Sequence, residues 1–266
     1  MATQPLTGPL ARAPHRGAPE PEDDGPAMTL VEHLEDLRRA VLICLIAWVG
    51  ATALAFAFNH ELIHLLERPL QLALTHRGHS PFGDHLIVTS PIEGLTIPFK
   101  VAAAAGVVIS FPVVAWQAWS FVSPGLQRRE RHLIGPFIFG SLLCFALGAA
   151  FAYLIMPIGL AFLSTFLGSN AIYLPDLGAY LTFFGLVIVI FGVTFEMPVV
   201  LCLLGAFGVV SSQQLRRWRL KAYFVIVGVA LVITPGADPF TPTFLSVALI
   251  LLYELSILVV RRLLRR

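Results

Sequence analysis

Residues 180–205 read YLTFFGLVIVIFGVTFEMPVVLCLLG, and this run decides the class of fold. A helix rises ~1.5 Å per residue, so the run is long enough to cross a hydrocarbon core of ~30 Å. It holds one carboxylate, Glu196, and no Lys, Arg or His. Comparable apolar stretches lie on either side of it, at about residues 40–58, 101–122, 133–155, 222–233 and 244–260. Charged residues make up 13% of the chain, against about a quarter in a soluble domain. The expected fold is an all-α integral membrane protein with six transmembrane helices.

The basic residues alternate from loop to loop. Arg12, Arg16, Arg38 and Arg39 precede the first span, Arg128, Arg129 and Arg131 follow the second, Arg216, Arg217, Arg219 and Lys221 precede the fifth, and Arg261, Arg262, Arg265 and Arg266 close the chain. The opposite side has Arg68 and Arg77, with Lys100 at the edge of the second span. The positive-inside bias therefore puts both termini in the cytoplasm. With a formal net charge of +2 and basic loops explained by orientation in the bilayer, nucleic acid is not an expected partner.

Span length adds detail. Ala222 to Ile233 covers only about 18 Å as a helix, and Phe244 to Val260 is also below the usual ~20 residues. Pro235, Pro239 and Pro242 between them favour a compact turn, so the last two helices are expected to be short and to form a hairpin. The loop from Asn59 to Ile97 carries Leu62, Ile63, Leu65, Leu66, Leu70, Leu72 and Leu74 among polar residues, which predicts an interfacial amphipathic helix interrupted at Pro69. No internal repeat relates the two halves, which weighs against a transporter built from duplicated halves.

Residues 1–27 are rich in Pro and Gly and carry Glu20, Glu22, Asp23 and Asp24, the composition of a disordered cytoplasmic tail rather than a basic transit peptide. A six-span domain over 28–260 and a short basic tail over 261–266 complete the expected organisation. Thr29 and Glu32 make a capping box, so the first helix can start there. Leu30, Leu34, Leu37 and Val41 then recur as one apolar stripe, opposite the acidic Glu32, Glu35 and Asp36.

Cys44, Cys144 and Cys202 each sit in a separate span and read as small apolar residues, with no metal-ligand spacing. Glu32-His33 does not open a zinc signature, since the order EHLE lacks the second His one turn on. There is no GxSxG elbow and no phosphate loop. The expectation is a protein without enzymatic activity, metal or cofactor.

The carboxylates carry more information. Glu130 is the only acid in SPGLQRRERH, between Arg129 and Arg131, where it either offsets local repulsion or accepts a ligand. Glu35 has Arg39 at i+4, whereas Asp36 has Ala40 there, so Asp36 is the freer acceptor. Glu196 within its span costs ~2.5 to 3.5 kcal/mol on insertion scales, which implies a cavity or a partner. Glu254, two turns from Arg261, is expected to reach the inner interface. On the residues alone, a proton- or ion-coupled small-molecule transporter using Glu196 is an alternative. A membrane-embedded hydrolase is disfavoured because the spans hold no His.

MTLVEHLEDLRRA (28–40), WSFVSPGLQRRERHL (119–133), FGVTFEMP (191–198) and ITPGADPF (233–240) together resemble the ordered motifs of the TatC family, the receptor subunit of the twin-arginine protein translocase. The resemblance runs from Met28 to about Val260. It implies a receptor for the signal peptides of folded cargo, embedded in the bilayer of the bacterial inner membrane. Single-span TatA/TatB-type partners, a homo-oligomer within a larger complex, and transport driven by the proton-motive force are implied with it. The family's cytoplasmic acids fall on Asp36, in place of the usual Glu, and on Glu130, with Glu35 sharing the role. The intramembrane acid falls on Glu196, expected on a water-reachable hollow where partner spans dock, and the acid of the last outer loop falls on Asp238. Carboxylates match guanidinium forks through paired hydrogen bonds, and Phe121 can receive the apolar part of the peptide.

Overall fold

The computed structural model describes residues 30–75, 88, 90–122, 134–166, 176–234 and 238–263, and its regular structure is α-helical. The helices are α1 (Leu30–Ala57), α2 (Asn59–Thr75), α3 (Glu93–Val122), α4 (Ile134–Ser164), α5 (Leu177–Thr194), α6 (Met197–Ala206), α7 (Ser212–Arg217), α8 (Arg219–Ile233) and α9 (Phe240–Leu263). The expected tail over 1–27, Thr29 of the capping box, Glu130, and residues 264–266 lie outside the described residues.

Five segments are long and apolar enough to span a membrane: α1, α3, α4, α9, and α5 with α6 taken as one. Large side chains point outward from the bundle, with Phe224 83% and Val232 85% exposed. Such a surface fits lipid rather than water. The core between the helices is built on Phe184, Val187 and Phe191 of α5, with Val101 of α3, Ala152 of α4 and Leu245 and Val260 of α9.

α1 lies antiparallel on α3. His33 meets Phe121 at one end, the Trp48 indole N–H donates to the Ala103 carbonyl at 3.1 Å in the middle, and Phe56 meets Phe99 at the other end. The end of α3 is in turn held to the start of α4 by Trp119, stacked on Phe137 with ring centres 4.8 Å apart. Tyr253, toward the end of α9, donates to the Leu215 carbonyl of α7 at 2.8 Å. The start of α9 meets the end of α4 through Phe240 and Phe162. The start of α1 and the end of α9 therefore share one end of the bundle, while α2 and the starts of α3, α5 and α9 form the other.

Two expectations require correction. α8 is short, 15 residues or about 22 Å, but α9 is not short. It has 24 residues because Phe240–Thr243 at its start, with Thr241 and Thr243, and the basic Arg261 and Arg262 at its end extend the helix beyond its apolar middle. Nor is α2 interrupted at Pro69, which lies inside a continuous helix. Pro69 has no N–H to offer the carbonyl of Leu65 four residues earlier. The Tyr153 hydroxyl of α4 supplies that donor at 2.9 Å, and the Tyr180 hydroxyl of α5 donates to the next carbonyl, Leu66, at 2.8 Å.

Changing both tyrosines to Phe should leave these carbonyls short of donors and cost about 1–3 kcal/mol. Unfolding of the detergent-solubilised protein would measure it; an unchanged midpoint would mean that water or backbone replaces the hydroxyls.

Candidate functional site

The start of α1 presents Glu35 and Asp36 to solvent. Neither makes an ion pair among the described residues, so the pairing open to Glu35 with Arg39 is not formed and both acids are available. On the same turn the His33 ring stacks on Phe121, with centres 4.3 Å apart and planes at 21°. This contact brings the acids of α1 to the end of α3, beside the half-buried Phe121. Glu130 lies outside the described residues, but the helices flanking it, α3 and α4, end and begin at this same end of the bundle. The stripe residues Leu34, Leu37 and Val41 are exposed rather than packed on neighbours.

Glu196 occupies a break in the fourth apolar span. Pro198 carries no N–H, and the backbone answers by tightening: Glu196 N–H donates to Val193 at 3.1 Å, and Val199 and Val200 N–H both donate to the Glu196 carbonyl at 3.0 Å. α5 thus ends at Thr194 and α6 begins at Met197. The wall behind the break is close-packed. A Cβ on Gly148 would stand 2.5 Å from the Phe191 carbonyl oxygen, and one on Gly192 would stand 2.7 Å from the Phe145 ring, so only glycines let α4 and α5 approach this far.

The Glu196 carboxyl faces the Ser141 hydroxyl and the backbone of Phe145 on α4. Ser141 is itself buried and accepts a hydrogen bond from the Trp119 indole at 3.3 Å. The order Trp119, Ser141, Glu196 thus runs from α3 through α4 to the helix break. Oε1 of Glu196 is buried without a hydrogen-bond partner. Glu196 as a whole is half-exposed, so this oxygen is turned inward while the rest of the residue stays at the surface of the break.

The remaining acids are placed differently. Asp238 caps α9, accepting from Thr241 N–H at 2.6 Å, and its Oδ2 is buried without a partner. Glu254 does not run toward Arg261. It accepts from Arg219 and, at 2.5 Å, from the Tyr223 hydroxyl, joining α8 to α9 because the antiparallel hairpin brings these positions opposite one another. Lys100 belongs to a cavity of about 470 Å³ at the other end of the bundle, shared with Glu93, Thr96, Asp176, Thr182 and Leu186, and so is separate from Glu196.

The sequence signature described as Sec-independent protein translocase protein (TatC) matches residues 32–247. This chain belongs to the TatC family. The TatC protein of Frankia casuarinae is 36% identical over 237 residues, covering 87% of this chain and 65% of the relative, so the chain spans slightly less than two thirds of that relative's length. The TatC protein of Aquifex aeolicus is 34% identical over 233 residues, covering 86% of this chain and 93% of the relative. A crystal structure titled Twin Arginine Translocase Receptor TatC superposes with a TM-score of 0.73 at 33% identity, covering 86% of this chain and 98% of that one. As a TatC-family chain with these spans, the protein is a multi-pass membrane protein.

Within this TatC-family fold, Ser141, Trp119 and His33 contact the candidate site residues, and the sequence does not single them out. For His33 a signal existed in its position one turn before Asp36. Ser141 gave none, since one Ser in an apolar span reads as back-bonded to its own helix.

An intramembrane carboxylate with one buried oxygen that has no hydrogen-bond partner among the described residues should cost folding energy. Glu196→Leu is therefore expected to leave the isolated protein as stable as the wild type or about 1–3 kcal/mol more stable. Comparative thermal unfolding in one detergent checks this; a marked loss of stability would mean that the carboxylate is internally satisfied.

Proposed function

We propose that this chain is the core receptor subunit of a twin-arginine translocase. It binds the twin-arginine signal peptides of folded proteins and organises single-span TatA/TatB-type subunits that carry the cargo across the membrane, driven by the proton-motive force. The observation that carries the reading is the His33–Phe121 contact, which sets two exposed acids of α1, without an ion pair among the described residues, beside an aromatic surface at one end of the bundle. Membership of the TatC family supports it, as does likeness to a structure titled as the twin-arginine translocase receptor.

In this mechanism Asp36 and Glu130 each accept the fork of one arginine, with Glu35 as a secondary acceptor. Adjacent guanidiniums present fixed pairs of N–H donors, and two carboxylates carried by separate segments can meet both at once. Phe121 receives the apolar part of the peptide. Asp36 is one methylene shorter than Glu, so the helix start must lie closer to its guanidinium, and Glu35 on the next position adds reach.

Asp36→Lys and Glu130→Lys should each abolish photo-crosslinking of a twin-arginine peptide while the protein stays folded, and Asp36→Glu should retain transport where Asp36→Asn loses much of it. Wild-type crosslinking by both Lys variants would remove the site.

Glu196 serves assembly in this reading. Half-exposed at the helix break, its carboxyl can meet a polar group on a docking partner helix, which would explain why a costly intramembrane acid is carried there. Glu196→Gln keeps hydrogen-bonding capacity and should still co-purify with partner subunits. Glu196→Leu should co-purify less, with peptide crosslinking at Asp36 and Glu130 unchanged; normal assembly by the Leu variant would exclude the role.

A further inference from the structure

Residues 60–64 of α2 read His-Glu-Leu-Ile-His, an HExxH pattern at the end of the bundle opposite the acids of α1. The helix sets the two histidines one turn apart on one face. Their Nε2 atoms are 3.2 Å apart, with ring centres separated by 4.4 Å and planes at 83°. Two nitrogens bound to a shared ion at ~2.0–2.1 Å, with angles between square-planar and tetrahedral, lie roughly 2.8–3.4 Å apart. The observed separation falls inside that window.

The second imidazole nitrogen of His64 is also accounted for. Nδ1 of His64 is 3.5 Å from Oε2 of Glu67, one turn further along α2. With its proton on Nδ1, beside this carboxylate, His64 keeps its lone pair on Nε2, facing His60. This is the arrangement of a metal-binding histidine oriented by a carboxylate behind it. Both imidazoles are exposed, so an ion reaches them without any movement of the fold. Glu61 and Glu67 outweigh Arg68, which gives the helix a net negative charge that favours a cation.

We propose that His60 and His64 form a binding site for a borderline divalent transition ion, Zn(II) or Cu(II), with Glu67 as the positioning residue. In the ion-free protein a single proton shared between the two Nε2 atoms holds them at the same spacing, and the ion takes its place. Among the described residues no cluster of three or more His, Cys, Asp or Glu has metal-binding geometry, so water fills the other coordination positions. A zinc protease site of the HExxH type needs a third protein ligand, and the proposal is therefore of a binding site. A bound ion would brace the first turns of α2, the helix that Tyr153 and Tyr180 tie to α4 and α5.

The test uses the full-length protein without a polyhistidine tag, purified in detergent and stripped with chelator. Zinc chloride is titrated by calorimetry, and copper chloride is followed by electron paramagnetic resonance, in which nitrogen splittings count the bound imidazoles. The expected result is one site per chain with two nitrogens on copper. His60→Ala and His64→Ala should each weaken binding by at least about tenfold, and Glu67→Gln should weaken it about tenfold by releasing the His64 ring. Because these side chains are exposed, the variants should stay folded, and His60→Gln provides a second substitution at the first ligand. His33→Ala should bind as the wild type does. The proposal is overturned if the wild type shows no saturable binding. It is equally overturned if His60→Ala and His64→Ala bind unchanged, or if the site is lost only when His76, His79 and His85 are replaced together.

Discussion

A helix surrounded by lipid has no water to complete its hydrogen bonds, so every irregular carbonyl and every polar side chain must find a partner inside the protein. α2 shows the constraint at its strictest. Pro69 deprives the Leu65 carbonyl of its usual donor, and α4 and α5 each send a tyrosine hydroxyl to this turn. Those two bonds fix α2 across the end of the bundle, so a local backbone defect becomes the tie among three helices. Elsewhere the hydroxyls of Thr182, Thr194, Thr234, Ser246 and Ser256 bond back to carbonyls of their own helices. Against this background the buried atoms without a partner, on Thr52, Glu196 and Asp238, are exceptions.

Of these exceptions, Glu196 is the one that the backbone is shaped around. Pro198 forces the break between α5 and α6, and the break turns the carboxyl toward Ser141. Gly148 and Gly192 let α4 and α5 pack closely beside it. Removing the acid would make the isolated fold easier to build, which is why the proposed role lies in contact with another helix and not in the stability of this chain.

The class of fold was legible because lipid imposes length and apolarity on every span, and a run such as residues 180–205 satisfies both. The helix bounds were less so. The α9 helix takes in Phe240–Thr243, where Pro242 suggests a turn but is tolerated in a first turn where no N–H is needed. Pro69 was misjudged for a related reason: rescue by Tyr153 and Tyr180 depends on residues roughly a hundred positions away, which no local pattern displays. The carboxylates were found individually, but what each faces depends on packing. Glu254 meets Arg219 and Tyr223 across a hairpin, and Glu196 meets Ser141 across two helices. The HExxH order at residues 60–64 is legible directly in the sequence, whereas Glu32-His33 lacks the second His one turn on.

Magnitudes decide how the two halves of the proposed receptor surface share the work. An exposed ion pair contributes roughly 0.2–1 kcal/mol, and Asp36 and Glu35 are exposed, so paired arginines held by such acids cannot by themselves secure a peptide tightly. Apolar contact contributes about 25 cal/mol per Å² removed from water, and Leu34, Leu37 and Val41 leave an apolar stripe uncovered on the same helix. That stripe lies on the side of α1 away from the acids, so the apolar contact open to a peptide held at Asp36 would come from Phe121 at the end of α3. The acids would then act chiefly by selection, because a peptide lacking the arginine pair offers them no matching donors. On the proposed reading, charge at this site would exclude wrong ligands more than it holds the right one.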